Sequence, residues 1–176
     1  MRAQSDNLSA ERLRSFLSYN KETGIFVWKQ RPEHEFTDRT WNTRFAGKRA
    51  GTLRPDGRIA IRLNCVGHLA SRLAWLYVTG SWPTSEVDHR DCIKSNDRWD
   101  NLRLATTSQN GANTHKRRNN TSGYKGVTWA RRQKKWQAQI AVRGKHLYLG
   151  QFDSAKAAAD AYATAASQYH GEFARA

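Results

Sequence analysis

Between Tyr124 and Tyr169 the hydrophobic period of the chain changes from two to about 3.6, and this switch confines what that part of the sequence can build. Tyr124–Trp129, Lys135–Val142 and Lys145–Phe152 read as three strands, and Arg143-Gly144 marks a tight hairpin turn between the last two. Ser154 then caps an alanine-rich helix that runs to about Tyr169 and is closed by Gly171. Its small-residue stripe, Ala155, Ala158, Ala159 and Tyr162, suits packing against a sheet. The expectation is a compact unit over residues 122–176 with one three-stranded antiparallel sheet and one bracing helix.

The preceding residues mix helix and strand signals, which makes the whole chain α+β. Residues 9–19 read as a short helix, with Ser9 as N-cap, Glu11 in the first turn and Leu13, Phe16 and Leu17 on one face. Thr23-Gly24 signals a turn before the β-forming run Ile25–Trp28, whereas residues 30–50 are polar and irregular and yield no pattern. Ile59, Ile61 and Leu63 alternate as in a half-buried strand. Leu69 to Val78 reads as a helix with Leu69, Leu73, Leu76 and Tyr77 inward, stopped by Gly80 and Pro83. After a polar loop come a short run, Asn101–Thr106, and a helix from about Ser108, capped by that serine. The basic and then Asn/Ser/Gly-rich stretch from Lys116 to Gly123 is the best linker. The expected organisation is a first domain over 1–116, a linker at 117–121 and a second domain over 122–176.

Charge points to the partner. Thirty Lys and Arg face fifteen Asp and Glu, a formal charge of +15, and the ten basic residues between Gly111 and Phe152 have no acidic neighbour in that span. Such a surplus attracts polyanions and speeds their association, so double-stranded DNA is the expected partner. No apolar run approaches the roughly 18 residues that would span a bilayer. The opening MRAQSDNLSAER lacks the apolar core of a signal peptide. The expected setting is therefore intracellular and cytoplasmic, without membrane contact. Cys65 and Cys92 form no CxxC pair, which speaks against a structural zinc site, and nothing suggests a small-molecule cofactor.

Cleaving a phosphodiester requires a group that activates water and one that neutralises charge on phosphate and leaving oxygen. An imidazole suits the first, and a hard divalent cation held by oxygen ligands suits the second. Asp88 and His89 supply both kinds of group side by side. On one strand they would point to opposite faces, so the chain must bend near His89 for both to serve one site. Asn101 follows twelve residues later and Asn110 another nine. Asp91, Asn96 and Asp97 read as turn residues of the intervening loop, with extra ligands as the alternative.

The run VDHRDCIKSNDRWDNLRLATTSQN, together with the upstream HLASRLAWLYVTGSWP and ETGIFVWK, resembles the HNH nucleases of phage and homing type, which have a ββα-metal fold. The resemblance covers roughly residues 10–115. It implies His89 as the general base, Asp88 as a metal carboxylate, Asn101 as the residue that closes the loop and orients His89, and Asn110 as a catalytic amide and second metal ligand. Asn113, one turn further on, is the rival for that last role. One carboxylate and one amide suit Mg²⁺ completed by substrate phosphate, with Mn²⁺ as the alternative. Arg98 falls to phosphate contact.

The segment from Ser122 to Ala174, with its YKGV, YLGQFDS and AAADAY runs, resembles the ethylene-response-factor (apetala-two type) DNA-binding domain of plants. That resemblance implies a sheet laid in the major groove and a helix bracing it from behind. By motif matching, Lys125, Thr128, Gln139, His146 and Tyr148 fall at the DNA-facing positions, joined by Trp129 and Gln137. Lys116, Arg117, Arg118, Arg131, Arg132, Lys134, Lys135 and Arg143 would grip phosphates. The plant arginines are mostly absent, so the plant target does not carry over. The function implied is a metal-dependent DNA endonuclease, nicking or double-strand cutting, with a decayed, non-catalytic DNA-binding regulator as the alternative. A single active site favours a nicking monomer, and removing residues 119–176 should then lower affinity yet leave weak cutting.

Overall fold

A computed structural model describes residues 8–32, 40–116 and 119–175. The chain divides into two compact units, the first ending at Leu104 and the second beginning at Ala105.

In the first unit, helix α1 (Ala10–Phe16) starts where the Ser9 hydroxyl accepts the Arg12 amide. It buries Leu13 and Phe16 and is shorter than its sequence pattern suggests. Leu17–Tyr19 leave the helix as strand β1 and pair antiparallel with β2 (Phe26–Trp28). That pairing buries Leu17 and Tyr19 in the core beside Phe26, which outweighs one more helical turn. The β1–β2 connection is closed by the Asn20 side chain, which accepts the amides of Glu22 and Thr23, and by Gly24 at φ 72°. Within the irregular stretch, helix α2 (Trp41–Phe45) forms, with Trp41 packed edge-on to Trp28.

Strands β3 (Thr52–Leu53), β4 (Ile59–Leu63) and β5 (Val66–Leu69) make an antiparallel sheet in that order. The expected alternation on β4 holds: Ile61 and Leu63 are buried and Arg62 is exposed. Helix α3 (Ala70–Thr79) buries Leu73, Ala74 and Leu76 and ends on Gly80, whose φ of 80° supplies the left-handed cap. Two short strands, β6 (Glu86–His89) and β7 (Leu102–Ala105), pair to frame a loop that ends in a single 3₁₀ turn at Trp99–Asn101.

The second unit opens with helix α4 (Thr107–Ala112). Its cap is Thr106 rather than Ser108. The Thr106 hydroxyl accepts the Gln109 amide while the Gln109 side chain accepts the Thr106 amide, a reciprocal closure Ser108 cannot make from inside the first turn. Strands β8 (Val127–Ala130), β9 (Lys135–Val142) and β10 (Lys145–Phe152) form the antiparallel sheet β10-β9-β8, backed by helix α5 (Ala155–His170). This is the three-stranded sheet on one helix read from the sequence. Arg143 and Gly144, both at positive φ, make the two-residue hairpin turn. Strand β8 begins three residues later than its pattern, because Gly123 and Gly126 turn the chain through positive φ first. Ala158, Tyr162, Ala165 and Ala166 of α5 are buried, in clusters with Val127, Ala138 and Ile140.

Gly126 shows how close that packing is. A Cβ there would stand 2.2 Å from Tyr162 Cδ2 and 2.6 Å from the Gln139 carbonyl, at a φ of +70°. Gly123 has a similar φ of +80° and open space around it. Gly123→Ala should therefore cost only left-handed strain, about 1–2 kcal/mol. Gly126→Ala should add overpacking of about 1–3 kcal/mol to that strain. Thermal unfolding of the pair separates the two effects, and equal losses would refute tight packing at Gly126.

Candidate functional site

Asp88 and His89 end strand β6, and both are buried, at 5% and 6% exposure. The chain bends immediately afterwards. The Cys92 amide donates to the His89 carbonyl at 2.9 Å, and Cys92 takes a φ of 63°. Each side chain has its own buried partner. The Arg103 guanidinium, on β7, donates through Nε to Asp88 Oδ2 at 2.9 Å. His89 Nε2 lies 2.9 Å from Asp97 Oδ1. A carboxylate oxygen only accepts, so His89 donates to Asp97 through Nε2.

The loop between β6 and β7 is tied by Asn101. Its Oδ1 accepts the Asp91 amide at 3.1 Å, while Nδ2 donates to Asp91 Oδ1 at 3.0 Å and to the Asn96 carbonyl at 2.8 Å. Its own carbonyl accepts the Arg90 amide at 2.9 Å. Asp91 is the hub of these bonds. Burial pushes its carboxyl up, but donors from Asn96, the Ile93 amide and Asn101, with His89 nearby, outweigh that and hold it below the usual carboxylate range.

The N-terminal hairpin supports the loop from below. The Tyr19 hydroxyl donates to the Asp97 carbonyl at 2.6 Å, and the Trp99 amide donates to the Lys21 carbonyl at 2.9 Å. Burial, reinforced by Asp97 and Asp100, raises the Tyr19 hydroxyl far above the usual tyrosine range, so it stays a donor. Gly24 lies so close beneath that a Cβ would meet the Asp97 carbonyl carbon at 2.4 Å. Trp99 packs against Trp75 of α3 at 5.1 Å between ring centroids.

Three of these residues carry no sequence signal for this role: Asp97, whose type suits a turn, and Arg103 and Tyr19. Asp97 carries no periodic signal, and Tyr19 lies 78 residues from the atom it touches. Arg103 alternates with the buried Leu102 and half-buried Leu104 in a way that resembles a solvent-facing strand position, yet it is 6% exposed.

Asn110 lies half-buried on α4 in the second unit, its amide donating to the Thr106 carbonyl at 2.9 Å. Asn113 caps the other end of that helix and is buried. Among the described residues no three His, Cys, Asp or Glu side chains are gathered to hold a metal ion. The available donors are hard oxygens, which suit an open site completed by phosphate and water better than a closed protein cage.

In the C-terminal sheet, cross-strand pairing settles which residues share a face. Thr128 pairs with Gln137, Gln139 with Tyr148 and Ala141 with His146, on the face opposite Val127, Ala138 and Ile140. Five residues singled out from the sequence, Thr128, Gln137, Gln139, His146 and Tyr148, thus stand together. Trp129 does not join them; it pairs with Trp136 on the other face, ring centroids 5.0 Å apart. Gln151 does join them, opposite Gln137. Counting by twos from Tyr148 puts Gly150 outward instead, but a bulge between Tyr148 and Gly150 shifts the register by one.

Of the basic residues, Arg131, Arg132 and Lys134 are exposed in the β8–β9 turn and Arg143 in the hairpin turn. Lys135 is ion-paired with Asp153, and Arg98 with Asp100 at 3.5 Å. The Lys116 ammonium donates to the Gly123 carbonyl, and that of Lys125 to the carbonyls of Ala112 and Thr114. Arg117 and Arg118 lie outside the described residues.

Two paired strands thus frame a loop, with Asp88 and His89 at the end of the first and Asn101 in the turn just before the second. Residues 68–112 match the HNH endonuclease family. Protein 3.8 of Escherichia phage T7 is 36% identical over 89 residues, covering 51% of this chain and 73% of that protein. APETALA2-like protein 2 of rice and the AP2-like ethylene-responsive transcription factor TOE2 of Arabidopsis thaliana are each 48% identical over 54 residues, or 31% of this chain. The matched stretch is a small part of those plant proteins, 12% and 11% of their lengths. The chain belongs to the HNH endonuclease family, and joins its HNH unit to an AP2-type DNA-binding region. This architecture implies DNA as partner and a nuclease-type function, in a family that generally uses a divalent metal. No described helix is long and apolar enough to cross a membrane.

Proposed function

We propose that the chain is a divalent-metal-dependent DNA endonuclease in which His89 removes the proton from the attacking water. The observation that carries this reading is the buried His89–Asp97 pair at the end of β6, which directs the ring's proton to Nε2 and leaves Nδ1 as the base. Asp97 would also steady the imidazolium that forms when His89 takes its proton. Asn101 holds the loop in shape around this pair, and Arg103 holds Asp88 in place. Asp88 and Asn110 are proposed as the oxygen donors for Mg²⁺, with Mn²⁺ as the alternative; when bound, the ion would offset charge on the scissile phosphate and the leaving oxygen.

The outward sheet face bearing Thr128, Gln137, Gln139, His146 and Tyr148 would read or track the major groove, with Arg131, Arg132, Lys134 and Arg143 on phosphates. The single Asp-His pair favours nicking by a monomer, and the T7 relative favours a phage or homing setting inside the host cell. Incubating supercoiled plasmid with the protein tests the catalytic claim directly. Open circles should accumulate with Mg²⁺ and stop with EDTA, while retardation of DNA in EDTA persists. Binding without metal-dependent nicking would leave only the regulator.

A further inference from the structure

The HNH match runs to residue 112, but the second compact unit already begins at Ala105. Residues 105–112 therefore belong to both, and they comprise α4 with Asn110. Six residues with Gly111 among them make a poor helix in isolation. Thr106 and Gln109 cap its start, and its other end is held from the C-terminal module. Ala112, the one buried residue of α4, clusters with Ala105 and Phe173, the latter in the 3₁₀ turn after α5. The Lys125 ammonium, just ahead of β8, reaches the Ala112 carbonyl at 2.5 Å and the Thr114 carbonyl at 2.8 Å. A cation on these last carbonyls also suits the negative end of the helix. Beside these contacts a cleft of about 520 Å³ opens between Ser108 and Gly111 on one side and Ala141, Tyr162 and His170 on the other.

We propose that the AP2-type module sets the position of Asn110, with Phe173 and Lys125 as the positioning residues. The inference rests on the reading of Asn110 as a metal donor. Under it, removing residues 119–176 would take away catalytic competence as well as affinity. The expectation that the remaining chain still cuts weakly is replaced by loss of metal-dependent cutting.

The test uses the full chain and the variants Phe173→Ala, Phe173→Leu, Lys125→Met and Asn110→Ala. Three quantities are read: amide exchange over residues 107–113 without metal, the Mg²⁺ concentration for half-maximal nicking, and DNA affinity in EDTA. Phe173→Ala and Lys125→Met should speed exchange of α4 and raise the Mg²⁺ requirement about tenfold, the lower end of the loss usual when support for a metal ligand is removed. Phe173→Leu should restore most of both, and Phe173→Ala should bind DNA as tightly as wild type. Unchanged exchange and Mg²⁺ requirement, with Asn110→Ala impaired, would overturn the positioning role alone. A rate lowered equally at every Mg²⁺ concentration would also overturn it, since that reports lost folded protein. Full activity of Asn110→Ala at the wild-type Mg²⁺ requirement would overturn the reading of Asn110 and this inference with it.

Discussion

His89→Ala should lower the rate of plasmid nicking by about 10²–10⁴-fold while leaving DNA affinity in EDTA unchanged, because a positioned general base contributes on that scale. The affinity control matters, since the arginines proposed to grip DNA are other residues and a charge of +15 favours DNA with or without the base. The companion substitution is Asp97→Asn. An amide can turn its NH₂ toward His89 Nε2, which then must accept, so the ring's proton moves to Nδ1 and the basic nitrogen faces the wrong way. Such a tautomer error costs up to about 10⁴ in turnover where a carboxylate–histidine pair drives catalysis. Single-turnover nicking measures both. Wild-type rates for His89→Ala would eliminate the base, whereas a slow His89→Ala with a fast Asp97→Asn would confine the role of Asp97 to packing.

The second large effect concerns stability. Arg103 and Asp88 are 6% and 5% exposed and meet at 2.9 Å. Taking one partner from a buried ion pair strands the other's charge in a poor solvent, at about 3–5 kcal/mol. Arg103→Leu should thus lower the unfolding midpoint by about 10 °C or more in a chain of this size. Mg²⁺ should stabilise this variant more than wild type if Asp88 takes the metal, because the cation then replaces the missing guanidinium charge. The double variant Asp88→Asn/Arg103→Leu should recover part of the loss. Calorimetry on the three proteins decides the matter; a midpoint within about 2 °C of wild type for Arg103→Leu would mean that the pair is not load-sharing in solution.

What could be read in the sequence follows the range of the interactions. The β8–β10 sheet and α5 were legible because each element depends on local pattern: alternation, an Arg-Gly turn, a serine cap and an alanine-rich stripe. The Asp88-His89 pair and Asn101 were legible through a motif. The partners of that pair were not. Asp97 and Arg103 look polar and solvent-facing in sequence, and only the bend after His89 and the pairing of β6 with β7 bring them into the interior. Tyr19 needed knowledge of a contact across 78 residues. The end of α1 departs from its sequence pattern for a related reason, since helical spacing continues through Leu17 but the pairing with Trp28 wins. Ser108 has the residue type of a cap, but a capping box depends on a residue three positions away, and Thr106 with Gln109 satisfies that rule.

The bulge between Tyr148 and Gly150 has a bearing on how the outward face of this sheet could change. One extra residue in β10 decides that Gln151, and not its neighbour, looks outward beside Gln137. If the strand paired past Tyr148 without the bulge, its remaining side chains would turn to the opposite face, and Gly150 would take the outward place of Gln151 without any change in β8 or β9. The chemistry on the outward face of this sheet can therefore change by slippage of one strand as well as by gradual replacement of individual side chains.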